Sequence, residues 1–458
     1  TDAGMLDVIV VGAGAAGGGC ASMLTNTFGL DPSRLLLIER GEAVGETFRR
    51  WPAEMRFISP SFNSQGWTSS FDLNSVAYNT SPAFSLHTQH PSGSQYADYL
   101  AGLAETAKLN VRTRTDVSRV VPVEGGGFEV HVRPAGAGCE AGCAAGCDAG
   151  GATDLIDRLR GSAADVTDGS PREEEVLRAR YVVWAAGEFQ YPRVGGSGAI
   201  AGAELCTHNS RVKSWAKLPG DDFVLIGGYE SGADAAINLA KAGKQATVLA
   251  STATWHVQSA DPSAELAPYT AARLREVTAP GFSPKPKLLA PLRVLRVEKA
   301  ATGGFDVIAT WKAAEELTQS KLRKPVVGAE ADEDTATTAG ADGDELVLHT
   351  AQPPVLCTGF HGSVASAASH LFNLESSDAA KGCLAGAPLL TDDDESTKVP
   401  GVFLVGPAVT HGKLSFCFVY KFRQRFGIVA NAICRGLGRR DTDISVGICR
   451  KQNMFLDD

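Results

Sequence analysis

The chain has 458 residues, 44% of them hydrophobic and 21% charged, and a formal net charge of −9. That length suits two or three domains of roughly 100–200 residues each, with enough apolar material for sizeable cores. The acidic balance argues against nucleic acid or an anionic membrane as main partner. No apolar run reaches the ~18 residues that span a bilayer, and no secretory signal opens the chain, so the expectation is a soluble intracellular protein, cytoplasmic by default. Thr1 in place of Met fits a processed start.

The stretch MLDVIVVGAG, from Met5, is an apolar run ending in glycines, the pattern of a buried parallel strand feeding a tight turn. Residues 15–26 are small and apolar enough for a helix packed close to a sheet, and RLLLIERG from Arg34 supplies a second strand. This βαβ unit places the fold in the doubly wound α/β class. SQYADYLAGLAETAKL, from Ser94, reads as an amphipathic helix. From Asn110 follow a short strand and two alternating strands around a glycine turn. Between Pro134 and about Leu177 the composition shifts to Gly, Ala and charge, the mark of a surface insertion. RARYVVWAAGEFQYP, from Arg178, is again a buried strand.

FVLIGGYESGADAAINLAKAGKQATVL, from Phe223, then repeats the opening: strand, glycine turn, helix, strand. PLRVLRVEKAATGGFDVIATWK from Pro291 is a second alternating hairpin, a second charged insertion covers about 328–344, and ELVLHTAQPPVLCTGF from Glu345 runs into another strand. The layout is therefore duplicated, and each half closes on an apolar strand ending in AAGEF (from Ala185) or CTGF (from Cys357).

Of ten cysteines none forms a Cys-x-x-Cys pair. Cys20, Cys357 and Cys434 lie in periodic or apolar segments and read as reduced, buried thiols. Cys139, Cys143 and Cys147, spaced four apart, admit a metal or iron–sulfur set. Their surroundings of Gly, Ala and acid without histidine fit a low-complexity insertion better, and no metal is expected.

The first loop, Gly12-Ala13-Gly14-Ala15-Ala16-Gly17, is a full G-x-G-x-x-G between two strands. Gly12 permits the tight turn, Gly14 lets the backbone approach a pyrophosphate, and Gly17 lets helix and strand pack closely. The phosphates then meet the positive end of the helix. Glu39 ends the next strand, 22 residues after Gly17 (39 − 17), where its carboxylate accepts from the ribose hydroxyls of an adenosine. The second loop, Gly227-Gly228-Tyr229-Glu230-Ser231-Gly232, is a variant in the same context. At the end of its second strand stand Ser251 and Thr252 and no acid, which allows the 2′-phosphate of NADPH; no arginine stands there to demand it, and NADH stays open. Two loops with different partners suit one resident flavin, FAD, and one nicotinamide cofactor that delivers hydride.

On these motifs the sequence resembles the two-dinucleotide-binding-domain flavoproteins, the superfamily of thioredoxin and glutathione reductases and flavin-containing monooxygenases. The matching residues are both glycine loops, Glu39, VVWAAGEFQYP around Gly187, PPVLCTGF around Gly359 and GVFLVGP around Gly406. GETFRRWPAEMRFISPSF, from Gly45, resembles the flavin-contact stretch of monooxygenase-like members. That stretch and the tail SFCFVYKFRQRF, from Ser415, also resemble the bacillithiol-disulfide-reductase group. The resemblance implies two Rossmann-like domains, with an NAD(P)H domain (193–354) inserted in an FAD domain (1–192 and 355–458). It implies FAD contacts at Ala13, Ala16, Arg40, Gly45, Thr47, Trp51, Val117, Ala186, Gly187, Gly406, Pro407 and Phe416, and a linking turn at Gly359.

Three departures bear on the chemistry. Most reductases of the superfamily carry Gly-Asp where this chain has Gly406-Pro407, so the acid that holds the ribityl chain must be replaced by backbone or by another residue. Their redox-active cysteine pair is missing, so no dithiol relay is expected. The monooxygenase fingerprint F-x-G-x-x-x-H is imperfect: GAELCTHNSRVKSW places His208 six residues after Gly202 (208 − 202), without the phenylalanine. His208 is thus a candidate functional linker residue or a satisfied surface or hinge histidine. Cys417 reads as a packed thiol, and Lys421, Arg423 and Arg425 as a solvated basic face or as partners of acids.

The expected function is an FAD-dependent NAD(P)H oxidoreductase, monooxygenase-like, passing hydride from NAD(P)H to FAD and then to oxygen and a small-molecule substrate. The alternatives are a reductase of a small disulfide or quinone that works without a cysteine pair, and a nucleotide-binding flavoprotein that only senses or scaffolds. The substrate is not readable, and self-association into a homo-oligomer stays open.

Overall fold

The structure, a computed structural model, describes residues 4–62, 72–136, 174–194, 200–257, 265–312, 343–375, 386–412 and 414–456. Cys139, Cys143, Cys147 and most of both expected insertions lie outside these residues. The chain divides into two compact units: Thr1–Arg49 with Pro60–Tyr191 and His361–Asp458, and Arg50–Ser59 with Pro192–Phe360.

In the first unit, β1 (Leu6–Val11), β2 (Leu35–Ile38) and β3 (Val111–Arg112) pair in parallel, and β1 pairs in parallel with β6 (Glu175–Trp184) on its other side. Val8, Ile9 and Val10 are fully buried, as strands covered on both faces require. The first half of β6 pairs antiparallel with β5 (Phe128–Pro134), which pairs with β4 (Thr115–Pro122). The returning strand Val402–Leu404 joins the last residues of β6 in parallel. The sheet order is β3-β2-β1-β6-β5-β4, with 402–404 beside β6.

Helix α1 (Ala15–Ser22, AAGGGCAS) follows β1 directly. Three mid-helix glycines each cost about 1 kcal/mol against alanine, so propensity does not hold it. All eight residues are buried, and packing does. Helix α2 (Gly93–Thr106) begins with a capping box, in which Ser92 and Gln95 exchange bonds with each other's backbone.

The second unit repeats the plan. β7 (Thr207–His208), β8 (Asp222–Ile226), β9 (Gln245–Leu249) and β10 (Lys287–Leu289) share one sheet with β14 (Val355–Leu356). Its order is β10-β9-β8-β14-β7, parallel throughout. An antiparallel sheet of β11 (Leu292–Lys299), β12 (Phe305–Trp311) and β13 (Glu345–Thr350) forms a second layer. Helix α3 (Glu230–Lys241) follows β8, and α4 (Pro268–Thr278) packs on α3. Among the described residues no helix is long and apolar enough to cross a membrane.

Three expectations about side chains meet the structure. Arg423 and Arg425 are 0% and 1% exposed. The solvated-face reading fails for both, while the alternative of an acidic partner holds for Arg425: Arg423 donates to the carbonyl oxygen of Ser75 and Arg425 to the Asp394 carboxylate. Cys417 is exposed where a packed thiol was expected. His208 is buried at 2% rather than on the surface. It donates from Nε2 to the Gly359 carbonyl oxygen at 3.0 Å and accepts the Ser210 N–H at Nδ1.

Candidate functional site

Both glycine loops lie at the carboxyl edge of their parallel sheets, and their geometry is the same. Gly12 and Gly227 have φ of +104° and +112°, values that L side chains avoid. The Gly12 N–H donates to the Ile38 carbonyl and the Gly227 N–H to that of Leu249, each from a glycine to the neighbouring strand. A Cβ on Gly12 would stand 2.5 Å from the Ala185 carbonyl oxygen, and one on Gly227 2.4 Å from that of Cys357. A Cβ on Gly17 or Gly232 would fall 1.9 Å from the carbonyl oxygen of Gly12 or Gly227. Gly14 and Tyr229 cap their helices at φ, ψ of −86°, −163° and −87°, −161°.

The loops differ in what fills the third position. A Cβ on Gly14 would meet nothing within 4 Å, and the first turn of α1 holds no acid. The helix end therefore opens on a cradle that a side chain would fill and a pyrophosphate fits. In the second loop Tyr229 occupies that position, half exposed, its hydroxyl donating to the Glu265 carbonyl oxygen at 3.0 Å. Glu230 stands in the first turn of α3. Its carboxylate accepts the Ala267 N–H at 2.5 Å and the Thr270 hydroxyl at 2.6 Å. Burial pushes the Glu230 carboxyl up, against those two bonds. Ser231 is half-buried on the same turn.

Glu39 follows β2 directly, and its carboxylate accepts the Ala13 N–H at 2.9 Å and the Gly41 N–H at 2.7 Å. Burial pushes this carboxyl up, and the Gly41 and Ala13 N–H groups oppose it. The carboxylate thus touches the loop it was expected to serve. Arg40 bonds to Gln190 and lies 5.9 Å from the Tyr191 ring centre. Gly45, at φ +75°, donates to the Ala13 carbonyl at 3.0 Å. Thr47 is half-buried on the short helix Glu46–Arg49. Val117 sits at a bulge of β4, two residues after Thr115, whose N–H donates to the Glu39 carbonyl. Ala186 and Gly187 (φ +77°) follow β6. Gly406 (φ +116°) would place a Cβ 3.2 Å from that of Ala16, so the turn after 402–404 lies on the first turn of α1. Pro407 is half-buried and Phe416 is buried.

Trp51 is grouped differently. It belongs to the segment 50–59 of the second unit and packs on Phe57 with ring centres 5.1 Å apart. In the second unit Gly359 takes φ +80°. Ser251 is exposed and Thr252 half-buried at the end of β9.

For several residues the sequence does not give the structural reason. Gly228 is needed because a Cβ would meet that of Ala250 at 2.4 Å and the Trp255 ring at 3.0 Å. Glu188, after β6, is pushed up to about 7 by burial, with the Ser363 N–H and hydroxyl acting against it. Asp394, His411 and Arg425 form a charged cluster next to the strand 402–404. No spacing joins these positions, which only the fold brings together. The six described cysteines are all free. Burial pushes the Cys357 thiol, beside Gly227, up to about 12.

A family model described as pyridine nucleotide-disulphide oxidoreductase matches residues 9–139 and 171–300. Three solved structures are similar in fold. Bacillithiol disulfide reductase of Bacillus cereus is 18% identical with a TM-score of 0.59, over 94% of this chain and 99% of that one. An ornithine N-hydroxylase of Kutzneria sp. 744 is 14% identical with a TM-score of 0.62, over 94% and 100%. A flavin-containing monooxygenase of Stenotrophomonas maltophilia is 16% identical with a TM-score of 0.52, over 94% and 99%.

Proposed function

Because the chain belongs to the pyridine nucleotide-disulphide oxidoreductase family, and so is an oxidoreductase working with FAD and a nicotinamide dinucleotide, we propose that it is monooxygenase-like: hydride from NADPH would reduce FAD, and the electrons would go to oxygen, one atom of which enters a small-molecule substrate while the other leaves as water. In this reading the first unit takes FAD. The first turn of α1 receives the pyrophosphate, Gly14 leaves it room, and Glu39 exchanges its bond to Ala13 for the adenosine ribose. The second unit takes the nicotinamide dinucleotide on the loop 227–232. Ser251 and Thr252 at the end of β9 bring no negative charge against a 2′-phosphate. The flavin, once bound, accepts the hydride and passes the electrons on. The protein binds both dinucleotides, orients them and keeps water from the reacting atoms.

The observation that carries this reading is the shared geometry of two dinucleotide loops together with cysteines that are free and, at the second loop, held protonated. A thiol relay has no pair to run on among the described residues, so electrons leave directly to a small molecule. Disulfide reductase and hydroxylase structures resemble this fold to a similar degree, with TM-scores of 0.59 and 0.62, so the acceptor is decided by experiment. The protein should be yellow as purified and bleach with NADPH without oxygen. On admission of oxygen, reoxidation should be fast. Slow reoxidation in oxygen that becomes fast with a low-molecular-weight disulfide or a quinone would overturn the oxygen route in favour of a reductase.

A further inference from the structure

The carboxyl ends of β1, β6 and the strand 402–404 lie side by side, since β1 pairs with β6 and β6 with 402–404, all in parallel. Ligands of such sheets bind outside the carboxyl ends, across the point where strand order reverses. Glu39 fixes the adenosine half on the β2 side. The other half of a dinucleotide therefore runs towards the chain that follows 402–404. That chain stays close to α1, because a Gly406 Cβ would sit 3.2 Å from the Ala16 Cβ and a Gly19 Cβ 2.4 Å from the Phe426 ring.

Next to the strand 402–404 lies a polar cluster of Asp394, His411 and Arg425. Asp394, tied to the strand by the Leu404 N–H at 2.9 Å, is fully buried. Arg425 is 1% exposed and grips it twice, with Nε and Nη2 each 3.0 Å from a carboxylate oxygen. His411 places Nε2 2.5 Å from Asp394 Oδ1 and 3.1 Å from Arg425 Nη2. The Phe416 ring covers both, its centre 5.5 Å from the Arg425 guanidinium and 6.1 Å from the His411 ring. Burying an ion pair gains little stability over apolar packing; what it does here is fix the imidazole. Only His411 reaches the surface, with 13% of its side chain exposed. Its Nε2 is taken, and Nδ1 has no hydrogen-bond partner among the described residues.

We propose that His411 binds the flavin half of FAD through Nδ1, with Asp394 and Arg425 as the positioning residues that hold its ring. This rests on the reading of the first unit as the FAD site. With Nε2 donating to Asp394, neutral His411 offers Nδ1 as an acceptor for a ribityl hydroxyl or the flavin N3–H; protonated, it donates to a flavin carbonyl.

The apoprotein is titrated with FAD and with ADP, which carries the adenosine half alone, and its melting temperature is measured without ligand. His411→Ala should weaken FAD binding about tenfold, the worth of one hydrogen bond, and leave ADP binding unchanged, while the apoprotein melts somewhat lower because buried Asp394 loses a partner. His411→Asn should recover part of the loss, and Asp394→Asn should reproduce it in weaker form. Glu39→Ala should weaken FAD and ADP together. If FAD and ADP fall in step in His411→Ala, or FAD binding does not change, the proposal is wrong. If the wild type binds ADP but no FAD, the FAD reading of the first unit fails and takes this inference with it.

Discussion

A methyl group added at Gly17 would lie 1.9 Å from the Gly12 carbonyl oxygen, whereas one at Gly14 would meet nothing within 4 Å. The two substitutions should therefore fail in different ways. Gly17→Ala forces the helix off its loop and should cost about 1–3 kcal/mol in the apoprotein, seen as a lower melting temperature with or without FAD. Gly14→Val leaves the empty fold intact, since its backbone angles suit any residue, and should abolish flavin retention on gel filtration. A Gly14→Val protein that stays yellow would remove the pyrophosphate from this loop. His208 gives a pH test. Burial holds its imidazole down to about 4, with the Gly359 carbonyl acting the other way. The unfolded histidine takes its proton near 6.5, the folded one only near 4, so its contribution is whole above 6.5 and is lost as pH falls through that window. His208→Gln, whose amide can still donate to Gly359, should lose less stability than the wild type between neutral pH and about pH 5, read from urea midpoints.

At the scale of elements, α1 and α3 begin alike but are held differently. α1 is buried all round, while α3 carries a polar stripe of Glu230, Asp234 and Asn238 towards α4. Asp234 receives Arg273 at 2.7 Å and Asn238 at 3.0 Å, and Arg273 also reaches Asn238 at 2.9 Å. The Arg273 and Asp234 side chains are 12% and 9% exposed. Arg273→Ala strands a buried carboxylate and should destabilise the second unit by about 3–5 kcal/mol, while Arg273→Met with Asp234→Leu should restore most of it; a single loss below about 1 kcal/mol would mean that water already serves the pair. The glycine loops, their strands and Glu39 were legible in the sequence because turn geometry forces residue type at fixed spacing. The polar stripe was not, and for Arg425 an acidic partner could be named only as an alternative, without Asp394. Arginines at alternate positions look like a wetted face until distant segments close over them, and the carbonyls that make Gly12 and Gly227 obligatory come from Ala185 and Cys357, more than a hundred residues further on.

At the scale of the whole molecule, the chain passes from one unit to the other four times, near 49, 59, 191 and 360. Sequence reading places 50–59 with the first domain, because it continues the stretch that begins at Gly45. The structure groups it with the second unit, where Glu54 accepts from the Ser214 hydroxyl at 2.5 Å and from the N–H groups of Trp215 and Ala216 at 3.0 and 3.2 Å. Glu54→Gln should cost that unit about 1–3 kcal/mol and bring its unfolding to a lower temperature, followed by the fluorescence of Trp215 and Trp255; an unchanged transition would make the segment dispensable. The four crossings also set a schedule for biosynthesis. Domains fold as units as the chain emerges. The second unit has all its described strands once Phe360 is made, but the first still lacks Val402–Leu404 and the Gly406 turn, 46 residues later (406 − 360). At about 5–20 residues per second that interval is roughly 2–9 s. On the proposed assignment of the two units, the nascent protein could hold a nicotinamide dinucleotide through that interval but not yet a flavin, and the site for the electron donor would mature before the site for the acceptor.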